Sequence, residues 1–385
     1  MKILLHAGMP KAGSTALQTT LRRAHPNLLR RGVLYPITDE GHQNFALAGV
    51  VPYSRLPRGY KRAYLKNQEA LEDDFKKYWR KIVGQVNRYR PATLLLSGEA
   101  FFRTFSPQEV ENLNQLLRPL ADSVEVVFYV RSPSEYYLSS VQQGLRASHE
   151  IKPIRAISYR ATIEPYLKSI GDKVSVIPFV RDELYGRDIA LDFASRFIPD
   201  CMKDVESSAA GSTNETVSAE AMSILQSYRN QNHSDRADIH TADTSILIDF
   251  IRDVERSSGL YSRPKLKPEI IATLDRLSRD MLWLKDTFGI SHVGFDEEEL
   301  DQAERPTPIQ PRTVDEICEV DLDKRDRLLM LVVNQILVQD PFYNGRIGRY
   351  ARSLYKSLLG RQRLPDKRKE GQTPRVRSRG RHEIG

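Results

Sequence analysis

The sequence predicts a three-layer α/β fold: a mostly parallel central sheet, a phosphate-loop first turn, and additional C-terminal helices. Three observations predict it. Over the first 200 residues, short runs rich in Val, Ile and Leu alternate with longer amphipathic segments. The short runs are apolar almost throughout, as strands buried on both faces must be. The first run leads directly into a glycine-spaced turn and then an amphipathic stretch.

Taken in chain order, strands are expected at Ile3–His6, Val33–Tyr35, Thr93–Ser97, Val124–Val130 and Val174–Phe179. A helix from Ala16 to about Arg30 follows the first turn. Ser106-Pro107-Gln108-Glu109 and Ser132-Pro133-Ser134-Glu135 each read as a helix start, with Ser as N-cap, Pro at the first helical position and Glu three residues after the cap. Beyond residue 200 the strand signal fades. Helices are expected at Ser218–Gln231, Thr241–Ser257, Lys267–Phe288 and Leu322–Gln339, with a proline-rich connector at Pro306–Pro311. From Leu364 onward the chain is polar and basic and reads as disordered. The expected organisation is an α/β core over 1–200, a helical part of the same domain over 201–305, a helical extension over 306–360 and a basic tail over 361–385. There is no internal repeat.

Composition excludes several classes. The 385 residues are 40% hydrophobic and 28% charged, the balance of a globular protein. No apolar run is long enough for a membrane-spanning helix, and the first apolar run is too short for a secretory signal. Cys201 and Cys318 are the only cysteines, which excludes a disulfide scaffold and gives no sign of a cysteine metal site, so a cytoplasmic setting is expected. The net charge is +8, but nine Lys/Arg against three Asp/Glu fall within 361–385. The body is therefore nearly neutral, and no specific nucleic-acid partner is expected.

The segment Gly8-Met9-Pro10-Lys11-Ala12-Gly13-Ser14-Thr15 keeps the G-x-x-x-x-G spacing of a phosphate loop. Its glycines let successive N–H groups face one anion, and the helix that follows presents its positive end. In the nucleotide-hydrolase loop, Lys follows the second Gly; here Ser14 stands there and the lysine is Lys11. No partner acid for magnesium is evident, and no metal is expected. The plain alternative is a glycine-containing turn with a surface lysine. Arg131, at the carboxyl end of the fourth strand, points toward the crevice where open α/β sheets bind ligands, and its planar fork suits a phosphate; the alternative is a pair with Glu135.

Pro10-Lys11-Ala12-Gly13-Ser14-Thr15 resembles the 5′-phosphosulfate loop of the sulfotransferases that use 3′-phosphoadenylyl sulfate (PAPS). The second signature of that superfamily is a strand ending in Arg with Ser eight residues on. Arg131 and Ser139 resemble it, and together they imply a site for the 3′-phosphate. The strand Val174–Phe179 with Arg181 also resembles the family's next element. The family's late Arg-Lys-Gly clamp has only Arg263-Pro264-Lys265-Leu266-Lys267 in a comparable place. The resemblance covers residues 1–200 well and implies sulfuryl transfer from PAPS, a donor substrate, to a hydroxyl or amine. By family analogy the acceptor is a small molecule or glycan, a carbohydrate or glycolipid.

Such transfer needs a cation at the leaving phosphate, for which Lys11 is the candidate, and a base for the acceptor proton. Glu99 ends the strand run Leu94–Gly98 at the crevice. His42 follows the second strand, and an unperturbed imidazole ionises at about 6.5 and is mostly neutral at pH 7. Both remain open. His6 reads as a satisfied core residue. The loop Gln43–Lys66, with Tyr53, Tyr60 and Tyr64, is the candidate acceptor pocket. The rival functions are a phosphate-loop kinase or nucleotide hydrolase, and a non-catalytic nucleotide- or anion-binding protein.

Overall fold

The structure, a computed structural model, describes residues 1–38, 43–64, 67–209, 216–291 and 307–339. The chain forms two compact units, 1–328 and 329–385. In the first, β1 (Lys2–Ala7) leads to α1 (Ser14–Arg30) and β2 (Val33–Leu34). Two 3-10 turns, α2 (Arg58–Tyr64) and α3 (Gln68–Tyr89) precede β3 (Thr93–Gly98). Then come α4 (Pro107–Leu117), β4 (Ser123–Val130), α5 (Pro133–Gly144), α6 (Tyr159–Pro165), β5 (Lys173–Pro178), α7 (Ile189–Phe197) and α8 (Met202–Glu206). All five expected strands are present.

The strands form one sheet in the order β2-β3-β1-β4-β5, and every pair is parallel. β1 is central. The chain leaves it toward β2 on one side, then crosses from β3 to β4 on the other, so connections diverge at its carboxyl end. Ala7 lies opposite Gly98, and His6 opposite Val127. Gly8, Glu99 and Arg131 therefore leave three neighbouring strands at one edge of the sheet.

Strand alternation divides the core. On one face the His6 ring meets Tyr129 of β4 and Phe193 of α7 edge-on, and α1, α7 and α8 pack together. On the other, Phe128 packs against Tyr166 and Phe102. Right-handed crossovers place helices on both faces of such a sheet.

The later helices are α9 (Ala219–Asn232), α10 (Ala242–Ser258), α11 (Pro268–Leu277), α12 (Met281–Phe288), α13 (Val314–Ile317) and α14 (Leu322–Gln339). The single helix expected over Lys267–Phe288 is two. Ser278 breaks it: the residue is buried, leaves helical geometry, and its Oγ accepts from the Ile157 N–H at 3.2 Å. Two residues on, Asp280 Oδ2 accepts from the Arg160 N–H at 2.9 Å. Periodicity saw one apolar stripe, whereas these two tertiary bonds favour a corner. The connector is likewise pinned, the Ile154 N–H donating to the Ile309 carbonyl at 2.8 Å. Arg229 is fully buried and ties α9 down by donating to Thr241, Thr244 and the carbonyls of Ala147 and Arg236. The expected tail 361–385, and all of 340–360, lie outside the described residues.

Candidate active site at the strand ends

The loop between β1 and α1 has the backbone its glycines require. Gly13 sits at φ +78°, and a Cβ there would lie 3.0 Å from the Phe179 ring and 3.1 Å from Ile189. Lys11 also takes a left-handed φ of 69°, which costs a residue bearing a Cβ roughly 1 kcal/mol or more. The Ala12 N–H turns back to the Met9 carbonyl at 3.1 Å. Pro10 and Lys11 are half-buried, Ala12 is buried, and Thr15 is exposed in the first turn of α1. No side chain caps that helix and its first turn holds no acid, so its positive end is directed at the loop. By contrast, Ser106 caps α4 in a full capping box, and Asp188 caps α7. The Ser14 side chain is buried, and its Oγ has no hydrogen-bond partner among the described residues.

Arg131 is tied to this loop. Its Nη1 donates to the Lys11 carbonyl at 2.9 Å, and its backbone N–H points to Met9 Sδ at 3.3 Å. The guanidinium lies 5.1 Å over the Phe179 ring, and the Tyr159 hydroxyl donates to the Arg131 carbonyl at 2.6 Å. The pair with Glu135 also forms, with Nε 3.6 Å from Oε2. Ser132 caps α5 as expected by accepting from the Glu135 N–H, but the Glu135 side chain does not turn back to the cap. Its other oxygen accepts from Arg263 Nη2 at 2.8 Å. Burial lowers the Arg131 guanidinium from its ordinary value; Glu135 opposes this, and Arg263 and Arg181 lower it further. Three guanidinium groups, those of Arg131, Arg181 and Arg263, are thus close enough to act on one another at this strand end. Ser139 is half-buried two turns along α5.

Glu99 follows Gly98 and opens a 3-10 turn, half-buried. Residues just after β2 hold it there. The Gln43 side chain accepts from the Ser97 N–H at 2.5 Å and donates to the Pro36 carbonyl, while Asn44 Oδ1 accepts from the Ala100 N–H at 2.9 Å. Sequence reading gave Asn44 no role and Gln43 only the start of the acceptor loop, although both directly follow His42 in the chain. His42 lies outside the described residues.

The tyrosines of the expected acceptor loop are half-buried. Tyr60 and Tyr64 lie on the Phe45 ring, the Tyr53 hydroxyl donates to the Lys61 carbonyl, and the Tyr64 hydroxyl donates to Asp74. A cavity of about 670 Å³ opens elsewhere, on the helical part, between the segment Ser262–Lys267 and residues 315–322. Arg263 lines it and also reaches Glu135. Among the described residues no group of three His, Cys, Asp or Glu side chains gathers as a metal site, and no helix is long and apolar enough to cross a membrane.

No protein-family model and no curated protein matches this chain.

Proposed function

We propose that the chain is a sulfotransferase that moves a sulfuryl group from PAPS to a hydroxyl or amine of a carbohydrate or glycolipid acceptor. The observation that carries this reading is the hydrogen bond from Arg131 to the Lys11 carbonyl. It joins two anion-directed features at adjacent strand ends: a loop with a positive helix end, and a buried guanidinium fork. In this reading the loop takes the 5′-group and Arg131 the 3′-phosphate, with Ser139 on the same helix as Glu135.

In this reading the acceptor oxygen or nitrogen attacks sulfur, and the bond from sulfur to the bridging 5′-phosphate oxygen breaks. Lys11 stabilises the charge that develops on that oxygen. Glu99, at the end of the strand beside β1, takes the acceptor proton; His42 is the alternative base. Neither step calls for a metal, because the departing group is a nucleotide bisphosphate already held by cationic side chains. The test is isothermal titration with adenosine 3′,5′-bisphosphate and with ATP, each without and with magnesium. Tighter, magnesium-independent binding of the bisphosphate is expected. Magnesium-dependent ATP binding with no preference for the bisphosphate would replace this reading with a nucleotide hydrolase or kinase.

A further inference from the structure

His6 is not the satisfied core residue its place on β1 suggests. It is fully buried, between the rings of Tyr129 and Phe193. Its Nδ1 lies 2.8 Å from Ser97 Oγ. That oxygen also accepts from Gln18 Nε2 at 3.3 Å, and the same amide donates to the Ser97 carbonyl at 3.2 Å. With Gln18 as a donor to it, Ser97 is left free to give its own hydroxyl proton to His6 Nδ1. Burial holds the ring neutral, its pKa down to about 3, and a neutral ring that accepts at Nδ1 carries its proton on Nε2.

That Nε2 has no hydrogen-bond partner among the described residues, and neither does Ser14 Oγ. Buried donors without partners are uncommon and costly. Both lie against Gly8. A Cβ on Gly8 would lie 2.5 Å from Ser14 Oγ, 2.7 Å from His6 Cε1 and 3.2 Å from His6 Nε2. Two buried donors on different elements thus converge at the inner side of the loop, packed so closely against Gly8 that no Cβ fits there.

We propose that the Nε2–H of His6 and the Ser14 hydroxyl form an inner pair of donors for the phosphate held by this loop, with Ser97 setting the His6 tautomer. The ligand class is a terminal or bridging phosphoryl group. Its identification as the 5′-phosphate of a nucleotide rests on the function proposed above, but the anion site itself does not. His6 acts here as a binding and positioning residue, through a neutral donor that adds no charge.

The experiment compares His6→Asn with His6→Gln. The Asn amide reaches about where Nδ1 stood and loses the inner donor; the Gln amide reaches about where Nε2 stood and keeps it. Titration uses pyrophosphate, adenosine 3′,5′-bisphosphate and adenosine 3′-phosphate, with thermal midpoints measured alongside. His6→Asn should weaken the first two about 10- to 100-fold and leave adenosine 3′-phosphate unchanged, while His6→Gln retains most of the affinity. Ser14→Ala should show the same selectivity, and the double variant should lose less than the product of the two. Equal losses in the Asn and Gln variants that track their thermal midpoints, or equal losses for all three ligands, would overturn the proposal. Should neither His6 variant fold, nitrogen-15 NMR of the wild-type imidazole decides. A protonated Nε2 whose resonance moves on addition of pyrophosphate supports the pair, and a protonated Nδ1 or an unmoved Nε2 overturns it. Wild-type protein that binds pyrophosphate through this pair but shows no preference for the bisphosphate nucleotide would remove the nucleotide reading and leave the inner donors standing. Binding of neither removes both.

Discussion

Arg131→Ala removes three things at once: the donor to the Lys11 carbonyl at 2.9 Å, the guanidinium stacked 5.1 Å over Phe179, and the cation facing Glu135 at 3.6 Å. The side chain is only 16% exposed, so solvent screens it little. One charge-assisted hydrogen bond to a phosphate is worth roughly 1.5–3 kcal/mol, or about 10- to 150-fold in affinity. The upper part of that range is expected, because the deletion also leaves Glu135 with Arg263 alone, whose side chain is 72% exposed. An incoming phosphate would then meet a carboxylate that is poorly neutralised. The assay is isothermal titration of adenosine 3′,5′-bisphosphate and adenosine 5′-phosphate against wild type, Arg131→Ala and Arg131→Lys, at one fixed low salt concentration because the effect is a charge effect. Wild type should prefer the bisphosphate and Arg131→Ala should lose that preference. Arg131→Lys, which keeps the charge but not the fork, should fall between them. The reasoning is refuted if wild type binds both ligands equally. It is also refuted if Arg131→Ala weakens both by the same factor, since Arg131 would then only brace the loop.

Lys11→Ala should lower turnover by a factor on the order of 10² to 10³ with any confirmed acceptor while nucleotide binding partly survives; wild-type turnover would exclude Lys11 as the leaving-group stabiliser. Glu99→Gln should cost roughly 10² to 10⁴ in turnover and remove the acidic limb of the pH–rate profile, whereas an unchanged limb would transfer the role of base to His42. Gly8→Ala forces a methyl group to within 2.5 Å of Ser14 Oγ and 2.7 Å of His6 Cε1; it should lower stability by about 1–3 kcal/mol in thermal unfolding, together with pyrophosphate affinity. Burial raises the Asp275 carboxyl to about 6, above its unfolded value of roughly 3.9. Its protonated form is the one the fold prefers, so its contribution is present below about pH 4 and lost as pH rises toward 6. Asp275→Asn should therefore be more stable than wild type at pH 7.5 by about 1–2 kcal/mol after allowance for its partial exposure, with no gain at pH 4; equal denaturation curves at both pH values would contradict this.

The sheet was legible because its inner strands are buried on both faces, and such strands are written as nearly continuous apolar runs: in β4 only the first residue is half-exposed, and Glu125 alone interrupts Val124–Val130. The glycine turn between β1 and α1 was legible because positive φ at Gly13 and the close approach at Gly8 restrict those positions to one residue type. What stayed hidden was set by distant parts of the chain. The break at Ser278 depends on Ile157, 121 residues away. Composition likewise did not show that Tyr60 and Tyr64 rest on the Phe45 ring, which follows β2 in the chain. The Ser-x-x-Glu spacing gives the Ser132 cap and puts Glu135 three residues after it. Where its carboxylate goes was decided by Arg263, 128 residues later in the chain.

The same limit applies most sharply at His6. Apolar neighbours in sequence predict that such a histidine is buried, and it is. Burial, however, fixes only its charge. Whether both ring nitrogens are satisfied depends on Ser97 across the sheet, on Gln18 from α1, and on the side of the loop where Gly8 withholds a Cβ. A pattern of residue types carries burial well because burial is a property of one element's face. Hydrogen-bond satisfaction belongs to atoms from several elements at once. A buried donor left over after all of them are placed is therefore information that only the folded chain holds, and here that leftover donor lies beside the loop that the sequence had already marked for phosphate.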